Sequence, residues 1–258
     1  MSFSSCCLKT FTWDGTPEGR ETKLAGNDSY VTGDAQDAAV LLVHDLFGWR
    51  YPNARLLADH YAREAGVTVY LPDFFGGWVV DYALLEQERL DQIDLAGVAA
   101  KNSREIRGPE MEACARALKR DHGFKRVGAI GFCYGGWAVC HLGARARNPD
   151  GAGGGDRNLV DAISMGHPSW IEESDVAGLA VPTQILAPEV DTYFPDDLKA
   201  YAFRTLLGLN LPFDYVHYPG VVHGALVRGS HAVPRERDAM AAAKDSAVAW
   251  FRRHLHAG

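Results

Sequence analysis

The chain lacks features that define several classes of protein. It has no basic block, and 33 acidic against 26 basic residues give a formal charge of −7, so the attraction that dominates nucleic-acid binding is missing. No window approaches the roughly 20 apolar residues that span a bilayer. The first ten residues lack the apolar segment of a secretory signal. We therefore expect a cytoplasmic protein that binds neither nucleic acid nor membrane.

Cysteine is scarce and shows no pairing pattern. The cysteines are Cys6, Cys7, Cys114, Cys133 and Cys140. An odd number without a signal sequence argues against a disulfide framework, and no His/Cys cluster has the spacing of a zinc site. The glycine-rich residues 151–155 are not a dinucleotide fingerprint, because Asp156 stands where the last glycine should be. We expect no metal and no organic cofactor.

Short apolar runs alternate with segments of helical periodicity along most of the chain. The predicted strands lie at residues 39–43, 67–71, 126–130, 159–164, 183–187 and 213–218. This alternation predicts an α/β fold in a single domain over residues 1–258, with a mostly parallel central sheet and helices on both faces. Residues 1–30 are expected to form an N-terminal arm or edge hairpin. Residues 79–108 are polar and poorly periodic, and are the candidate cap or insertion.

One cysteine stands in a motif of its own. Cys133 is the centre of Gly131-Phe132-Cys133-Tyr134-Gly135, between a predicted strand and a predicted helix. Glycines at these places allow a tight strand-turn-helix that projects the central side chain, and the helix N-terminus favours a thiolate. The pattern predicts a nucleophile at Cys133, whereas Cys114 and Cys140 are interpreted as small buried hydrophobic residues.

A thiolate nucleophile needs a base and an orienting acid. His223 follows a late predicted strand and can return to the turn, while Asp191 follows the preceding strand. The resulting order of nucleophile, acid and histidine is that of α/β-hydrolases. Taken alone, Asp191 could instead cap the next helix. His44 and His167 lie at strand ends and are expected within reach of the site.

Four stretches together carry a family likeness. They are Gly131-Phe132-Cys133-Tyr134-Gly135-Gly136, His44-Asp45-Leu46-Phe47-Gly48, Ala187-Pro188-Glu189-Val190-Asp191 and His223-Gly224. They resemble the dienelactone hydrolase family, which are α/β-hydrolases with a Cys-Asp-His triad, and the likeness runs from about Thr22 to the C-terminus. Residues 6–8 and 166–169 look most like the fungal branch of that family.

The resemblance implies roles for further residues. The backbone N–H groups of Leu46 and Tyr134 would form the oxyanion hole, and Asp45 would be the acid that interacts with the resting thiol. Arg228 is the counterpart of an arginine that binds a substrate carboxylate. For a second such arginine, Arg89 and Arg104 both remain open.

Aromatic residues cluster in sequence around the predicted strand ends. They include Phe47, Trp49, Phe74, Phe75, Trp78, Tyr134, Trp137 and Trp170. Most aromatic residues belong to a core. Because several of these lie in loops, a substrate pocket lined with rings is the alternative hypothesis, with Phe47, Trp78 and Trp137 among its candidate residues.

The sequence as a whole predicts a hydrolase that cleaves an ester-type bond, most simply a lactone, through an acyl-enzyme on Cys133. Its expected partner is a small-molecule substrate, and a homodimer remains open. Two alternatives stay beside this reading. One is a non-hydrolytic lyase, isomerase or cyclisation step in specialised metabolism that uses the same pocket, and the other is a non-catalytic ligand-binding protein of the same fold.

Overall fold

A computed structural model describes residues 12–86, 89, 92–153 and 157–256 of the chain. Cys6 and Cys7, the start of the expected N-terminal arm, the last two glycines of residues 151–155 and Asp156 lie outside the described residues. The strands are β1 (Arg20–Leu24), β2 (Asn27–Thr32), β3 (Ala38–Val43), β4 (Thr68–Pro72), β5 (Arg126–Phe132), β6 (Ala162–Gly166), β7 (Thr183–Val190) and β8 (Phe213–Val222). The helices are α1 (Pro52–Ala65), α2 (Tyr82–Glu86), α3 (Leu95–Lys101), α4 (Arg104–Arg120), α5 (Gly135–Gly143), α6 (Glu173–Ala177), α7 (Asp196–Gly208), α8 (Ala225–Arg228) and α9 (Pro234–Leu255).

The eight strands form one sheet in the order β1-β2-β4-β3-β5-β6-β7-β8. Every neighbouring pair from β4 to β8 is parallel, whereas β1 and β2 form an antiparallel hairpin that extends the sheet beyond β4. The mostly parallel α/β sheet predicted from the sequence is confirmed. Residues 20–32 supply the edge hairpin, in which Ser29 to Thr32 of β2 pair with β4.

The central strands are apolar because both faces of the sheet are covered. All six residues of β3 are buried. Ala39, Leu41 and Val43 contribute to one core with α4 and α5, while Ala38, Val40 and Leu42 contribute to the other with α1 and α9. This alternation follows from the two-residue repeat of a strand.

Helix α1 has clear start and stop signals. Pro52 occupies its first turn, where a missing N–H costs nothing, and Gly66 ends it in the left-handed conformation at φ 68°. The N–H of Gly66 donates to the carbonyl of Ala62, which closes the last turn. Within the described part of the chain, no helix combines the length and apolar character required to cross a bilayer.

The segment at residues 79–108 is more regular than its sequence suggests. It contains α2 and α3, and α4 begins at Arg104, whereas the periodicity places a helix only around Met111. Pro109 lies inside α4, beyond its first turn, and the helix continues through it although proline lacks the N–H that would donate to the carbonyl of Glu105. Val98 and Ala99 of α3 are buried in the main core.

Candidate active site

The carboxyl ends of four neighbouring strands bring the candidate residues to one edge of the sheet. Phe132 of β5 is in register with Gly166 of β6, so the following residues, Cys133 and His167, leave the sheet side by side. Val190 of β7 is likewise in register with Val222 of β8, after an irregularity near Pro188. Asp191 and His223 follow these two residues directly. Open parallel sheets place their ligand sites at this edge.

Cys133 occupies a strained turn between β5 and α5. Its φ is 50°, in the left-handed region that side chains with a Cβ rarely adopt. A Cβ on Gly131 would overlap the carbonyl of Gly135, and one on Gly135 would overlap the carbonyl of Val43. The glycines are therefore required by close backbone approach, as the sequence pattern predicts for a nucleophile elbow.

The thiol of Cys133 is buried against the loop that follows β6. Its Sγ lies 3.4 Å from Oγ of Ser169. The backbone supports this contact, because the N–H of Ser169 donates to the carbonyl of Cys133 over 2.8 Å and the N–H of Cys133 donates to Gly166 over 3.2 Å. Ser169 is a site residue that sequence reasoning missed.

Asp191 and His223 form a buried pair. Nδ1 of His223 lies 2.9 Å from Oδ1 of Asp191, and both side chains are almost fully shielded from solvent. The same oxygen accepts the backbone N–H groups of Tyr193 at 2.9 Å and Phe194 at 3.1 Å. Asp191 therefore organises its own turn and also orients His223. The N-cap of α7 is Pro195, so Asp191 does not cap this helix.

This pairing fixes the tautomer of the histidine. A carboxylate only accepts hydrogen bonds, so Nδ1 of His223 carries the proton that Asp191 receives, and Nε2 carries the lone pair. The N–H of His223 donates to the carbonyl of Val190 over 3.0 Å, which holds the backbone of the histidine against β7. A histidine held in this way is suited to act as a base through Nε2.

His167 lies between the two halves of the site, which are the elbow with Cys133 and the Asp191–His223 pair. Its ring centroid is 5.0 Å from that of His223 and 5.6 Å from that of Phe132, and its φ is 36°. Neither ring nitrogen has a hydrogen-bond partner among the described residues. Burial, together with the nearby charges of His223 and Arg228, holds the pKa of His167 well below its usual value. The structure thus brings His167 into the site as a neutral ring.

Asp45 is bound to an arginine from the other end of the chain. Its Oδ2 accepts Nε of Arg228 at 2.7 Å, and its Oδ1 accepts the N–H of Phe47 at 2.9 Å. The guanidinium lies over the ring of Phe47, 4.4 Å from its centroid. The resemblance implies that Asp45 meets the resting thiol and that Arg228 meets a substrate. The structure instead joins the two residues to each other and places Ser169 beside the sulfur.

His44 connects two loops at the same edge. Its Nε2 accepts the N–H of Phe74 at 3.1 Å, which requires the ring proton on Nδ1, where it donates to the carbonyl of Asp45 at 2.8 Å. Burial lowers the pKa of His44 and keeps the ring neutral. His44 therefore positions the loop that contains Leu46, whose N–H is a candidate oxyanion donor beside that of Tyr134. Both of these residues are fully buried.

Most of the aromatic residues form one cluster around Tyr134, the residue after Cys133. Ring centroids of Phe75, Trp137 and Trp170 lie 4.9, 5.6 and 5.3 Å from that of Tyr134. Trp78 extends the cluster from Phe75 at 5.8 Å. The rings gather next to the elbow, but Phe75, Tyr134, Trp137 and Trp170 are buried in one core, so the aromatic pocket stays a prediction. Trp49 does not, because it packs in the core on the α1 side of the sheet.

Arg104, one of the two arginines left open by the sequence, is committed to structural contacts. It pairs with both carboxylate oxygens of Asp175 at 2.7 and 2.8 Å and also donates to the carbonyl of Trp170. Its guanidinium lies 5.5 Å from the ring centroid of Trp137. Arg104 therefore supports the loop beside the elbow. Arg89 is exposed.

The other described cysteines are buried away from the elbow. Burial raises the pKa of Cys114 to about 12 and also raises that of Cys140. Sγ of Cys114 donates to the carbonyl of Leu24, and Sγ of Cys140 contacts Sδ of Met165. No group of three or more His, Cys, Asp or Glu residues in the described ranges is arranged to hold a metal ion.

The sheet order, the elbow and the Asp191–His223 pair define an α/β-hydrolase. The family model of the dienelactone hydrolase family matches residues 28–255, and the chain belongs to that family. It is accordingly a hydrolase of the class that acts on ester and lactone bonds.

Known relatives cover nearly the whole chain. It is 30% identical to the hydrolase tropI of Talaromyces stipitatus, with 97% of this chain and 96% of that protein covered. It is 25% identical to the human carboxymethylenebutenolidase homolog, over 92% of this chain and 91% of that protein. The crystal structure of dienelactone hydrolase from Anabaena variabilis superposes with a TM-score of 0.64 at 18% identity and covers 92% of this chain and 97% of that one.

Proposed function

We propose that the protein hydrolyses a lactone or related ester through a Cys133-His223-Asp191 triad and a covalent acyl-enzyme. The observation that carries the proposal is the strained elbow, which holds Cys133 at φ 50° at the same edge of the sheet as the Asp191–His223 pair. Strain of this kind persists where the surrounding structure enforces it, and it is common at reactive groups. The names of the relatives, which are hydrolases and butenolidase homologues, support an ester-type substrate.

In the first half of the reaction, the thiol proton of Cys133 passes to Nε2 of His223 and the sulfur attacks the carbonyl carbon. The carbonyl π electrons move to oxygen, and the N–H groups of Leu46 and Tyr134 stabilise the resulting negative charge. When the tetrahedral intermediate collapses, the bond to the ring oxygen breaks. The leaving alkoxide takes the proton from His223, and the acyl group remains on Cys133 as a thioester.

In the second half, water replaces the substrate alcohol. Nε2 of His223 accepts a proton from water as the hydroxide attacks the thioester carbon, and the C–S bond breaks on collapse of the second intermediate. The thiolate of Cys133 regains the proton from His223. Asp191 keeps its hydrogen bond to Nδ1 throughout and stabilises the imidazolium that forms twice in the cycle.

The experiment is turnover of a panel of lactones, aryl esters and thioesters by the parent protein and by Cys133→Ala, with intact mass recorded for an acyl adduct. Cys140→Ala is the matched control, because it removes a buried thiol that is not on the elbow. We expect turnover to vanish only in Cys133→Ala, and the adduct to map to Cys133. Full turnover by Cys133→Ala would overturn the proposal.

Isotopically labelled water distinguishes hydrolysis from a lyase, isomerase or cyclisation step. Hydrolysis places one solvent oxygen in the acid product, whereas the other three reactions place none there by this route. A labelled product formed by the parent protein therefore supports the acyl-enzyme pathway. An unlabelled product of the same turnover would transfer the proposal to a non-hydrolytic reaction in the same pocket.

A further inference from the structure

The loop after β6 contacts both halves of the site. Ser169 reaches the sulfur of Cys133, and His167, two residues earlier, packs its ring against His223. The loop has little freedom, because a Cβ on Gly136 would overlap Pro168 and because Arg104 binds the carbonyl of Trp170. The chain is therefore fixed at the residues before and after Ser169, which keeps its hydroxyl beside the thiol of Cys133.

The contact between Ser169 and Cys133 is short, buried and supported by the backbone. The Oγ to Sγ distance is 3.4 Å, and neither residue has any solvent-accessible surface. The N–H of Ser169 donates to the carbonyl of Cys133 over 2.8 Å, so the two residues are linked twice. Buried hydroxyl groups in proteins form hydrogen bonds, and Sγ of Cys133 lies within hydrogen-bond distance of the buried hydroxyl of Ser169.

A hydroxyl can serve the sulfur in both of its protonation states. Beside a neutral thiol, the oxygen of Ser169 can accept a hydrogen bond from S–H. Beside a thiolate, its O–H can rotate and donate a hydrogen bond to the sulfur. A hydrogen bond to the charged form favours that form. Asp45, in the loop after β3, is not available to the sulfur in the same way, because its two oxygens are bound to Arg228 and to the N–H of Phe47.

We propose that Ser169 is a catalytic residue that binds the reacting sulfur of Cys133, accepting from the thiol at rest and donating to the thiolate once the proton has moved to His223. This assignment rests on the proposed function, because it takes Cys133 as the nucleophile. No atom is gained or lost at Ser169 during the reaction, and its own proton remains on oxygen.

The test measures the thiolate of Cys133 without any substrate. The intact protein is titrated between pH 5 and 10, and the ultraviolet absorbance of the Cys133 thiolate is obtained as the difference from Cys133→Ala, because the sulfur is buried and need not react with an added reagent. Ser169→Ala deletes the hydroxyl, Ser169→Thr keeps it, and Ser164→Ala is the matched control. Ser164 is equally buried and lies on β6, but its hydroxyl donates to Gln184.

We expect the pH midpoint of Cys133 ionisation to rise by about one unit in Ser169→Ala, because a hydrogen bond to a charged group is lost. Ser169→Thr should restore the parent midpoint, and Ser164→Ala should leave it unchanged. Ser169→Gly removes the same oxygen and should reproduce the shift.

Two results overturn the proposal. One is an unchanged midpoint in both Ser169→Ala and Ser169→Gly, and the other is an equal shift in Ser164→Ala. This failure is separate from that of the proposed function, which is decided by turnover of Cys133→Ala. An unchanged midpoint combined with turnover that still requires Cys133 would remove Ser169 from the mechanism and leave the nucleophile in place.

Discussion

Arg228 and Asp45 form a salt bridge of 2.7 Å across 183 residues of sequence, and both side chains are sealed from solvent. The pair joins α8 to the loop after β3, next to the candidate nucleophile. Each of these two charges is stable in the interior because the other is present. Burial of either ion alone would carry a large desolvation cost.

The first prediction concerns this pair. Arg228→Met should lower the free energy of unfolding by about 3 to 5 kcal/mol, because it leaves the Asp45 carboxylate buried without its cation. The double variant Asp45→Asn/Arg228→Met should recover part of that loss. Urea unfolding followed by tryptophan fluorescence measures both changes, and a loss below about 1 kcal/mol for Arg228→Met would contradict the burial described here.

The second prediction concerns Asp191. Asp191→Asn should reduce kcat about 10³- to 10⁴-fold, because an amide presents a donor to Nδ1 of His223 and disfavours the productive tautomer. Asp196→Asn, at an exposed carboxylate five residues later, is the control and should retain parental turnover. Equal kcat values for Asp191→Asn and the parent would remove Asp191 from the triad.

The third prediction concerns the glycines of the elbow. Gly131→Ala should destabilise the protein by about 3 kcal/mol, because its Cβ would meet backbone atoms of Gly135 that cannot move aside. Gly208 ends α7 with open space around it, so Gly208→Ala should be neutral or stabilising by up to about 1 kcal/mol. Thermal unfolding of the two variants tests this contrast, and similar melting temperatures would refute it.

The fourth prediction concerns pH. Burial lowers the pKa of His44 and His167, so the unfolded chain takes up protons first as the pH falls below about 6.5. The free energy of unfolding therefore keeps its full value above that pH. Below it, the free energy of unfolding falls by up to about 1.4 kcal/mol per pH unit for each ring. His167→Gln should therefore unfold with less dependence on pH between 7.5 and 5 than the parent.

His60→Gln provides the comparison for that measurement, because His60 is a half-exposed residue on α1. Urea titrations at several pH values give the slope for each protein. If the slope of His167→Gln matches those of His60→Gln and the parent, the neutral buried state of His167 is wrong.

The triad candidates could be predicted from sequence because strand ends are local features. The apolar runs at residues 126–130 and 183–187 locate β5 and β7, although the strands continue to Phe132 and Val190, and parallel strands bring such ends together. The sequence placed the last strand at residues 213–218. The structure continues β8 to Val222, because an irregularity near Pro188 lets the strands resume pairing and deliver His223 directly beside Asp191.

Ser169 and the partner of Arg228 could not be predicted in the same way. Ser169 turns back onto Cys133 only because His167 adopts a positive φ and Pro168 packs on Gly136, and neither leaves a periodic signal. Arg228 meets Asp45 through the packing of α8, which joins distant parts of the chain. Contacts of this kind depend on three-dimensional packing.

The two hydrogen bonds of His44 have a mechanical consequence. Nδ1 of His44 donates to the carbonyl of Asp45 and Nε2 accepts the N–H of Phe74, so the ring links the loop after β3 to the loop after β4. These loops should move as one rigid body, and the wall of the site that they form should keep its shape when a ligand enters.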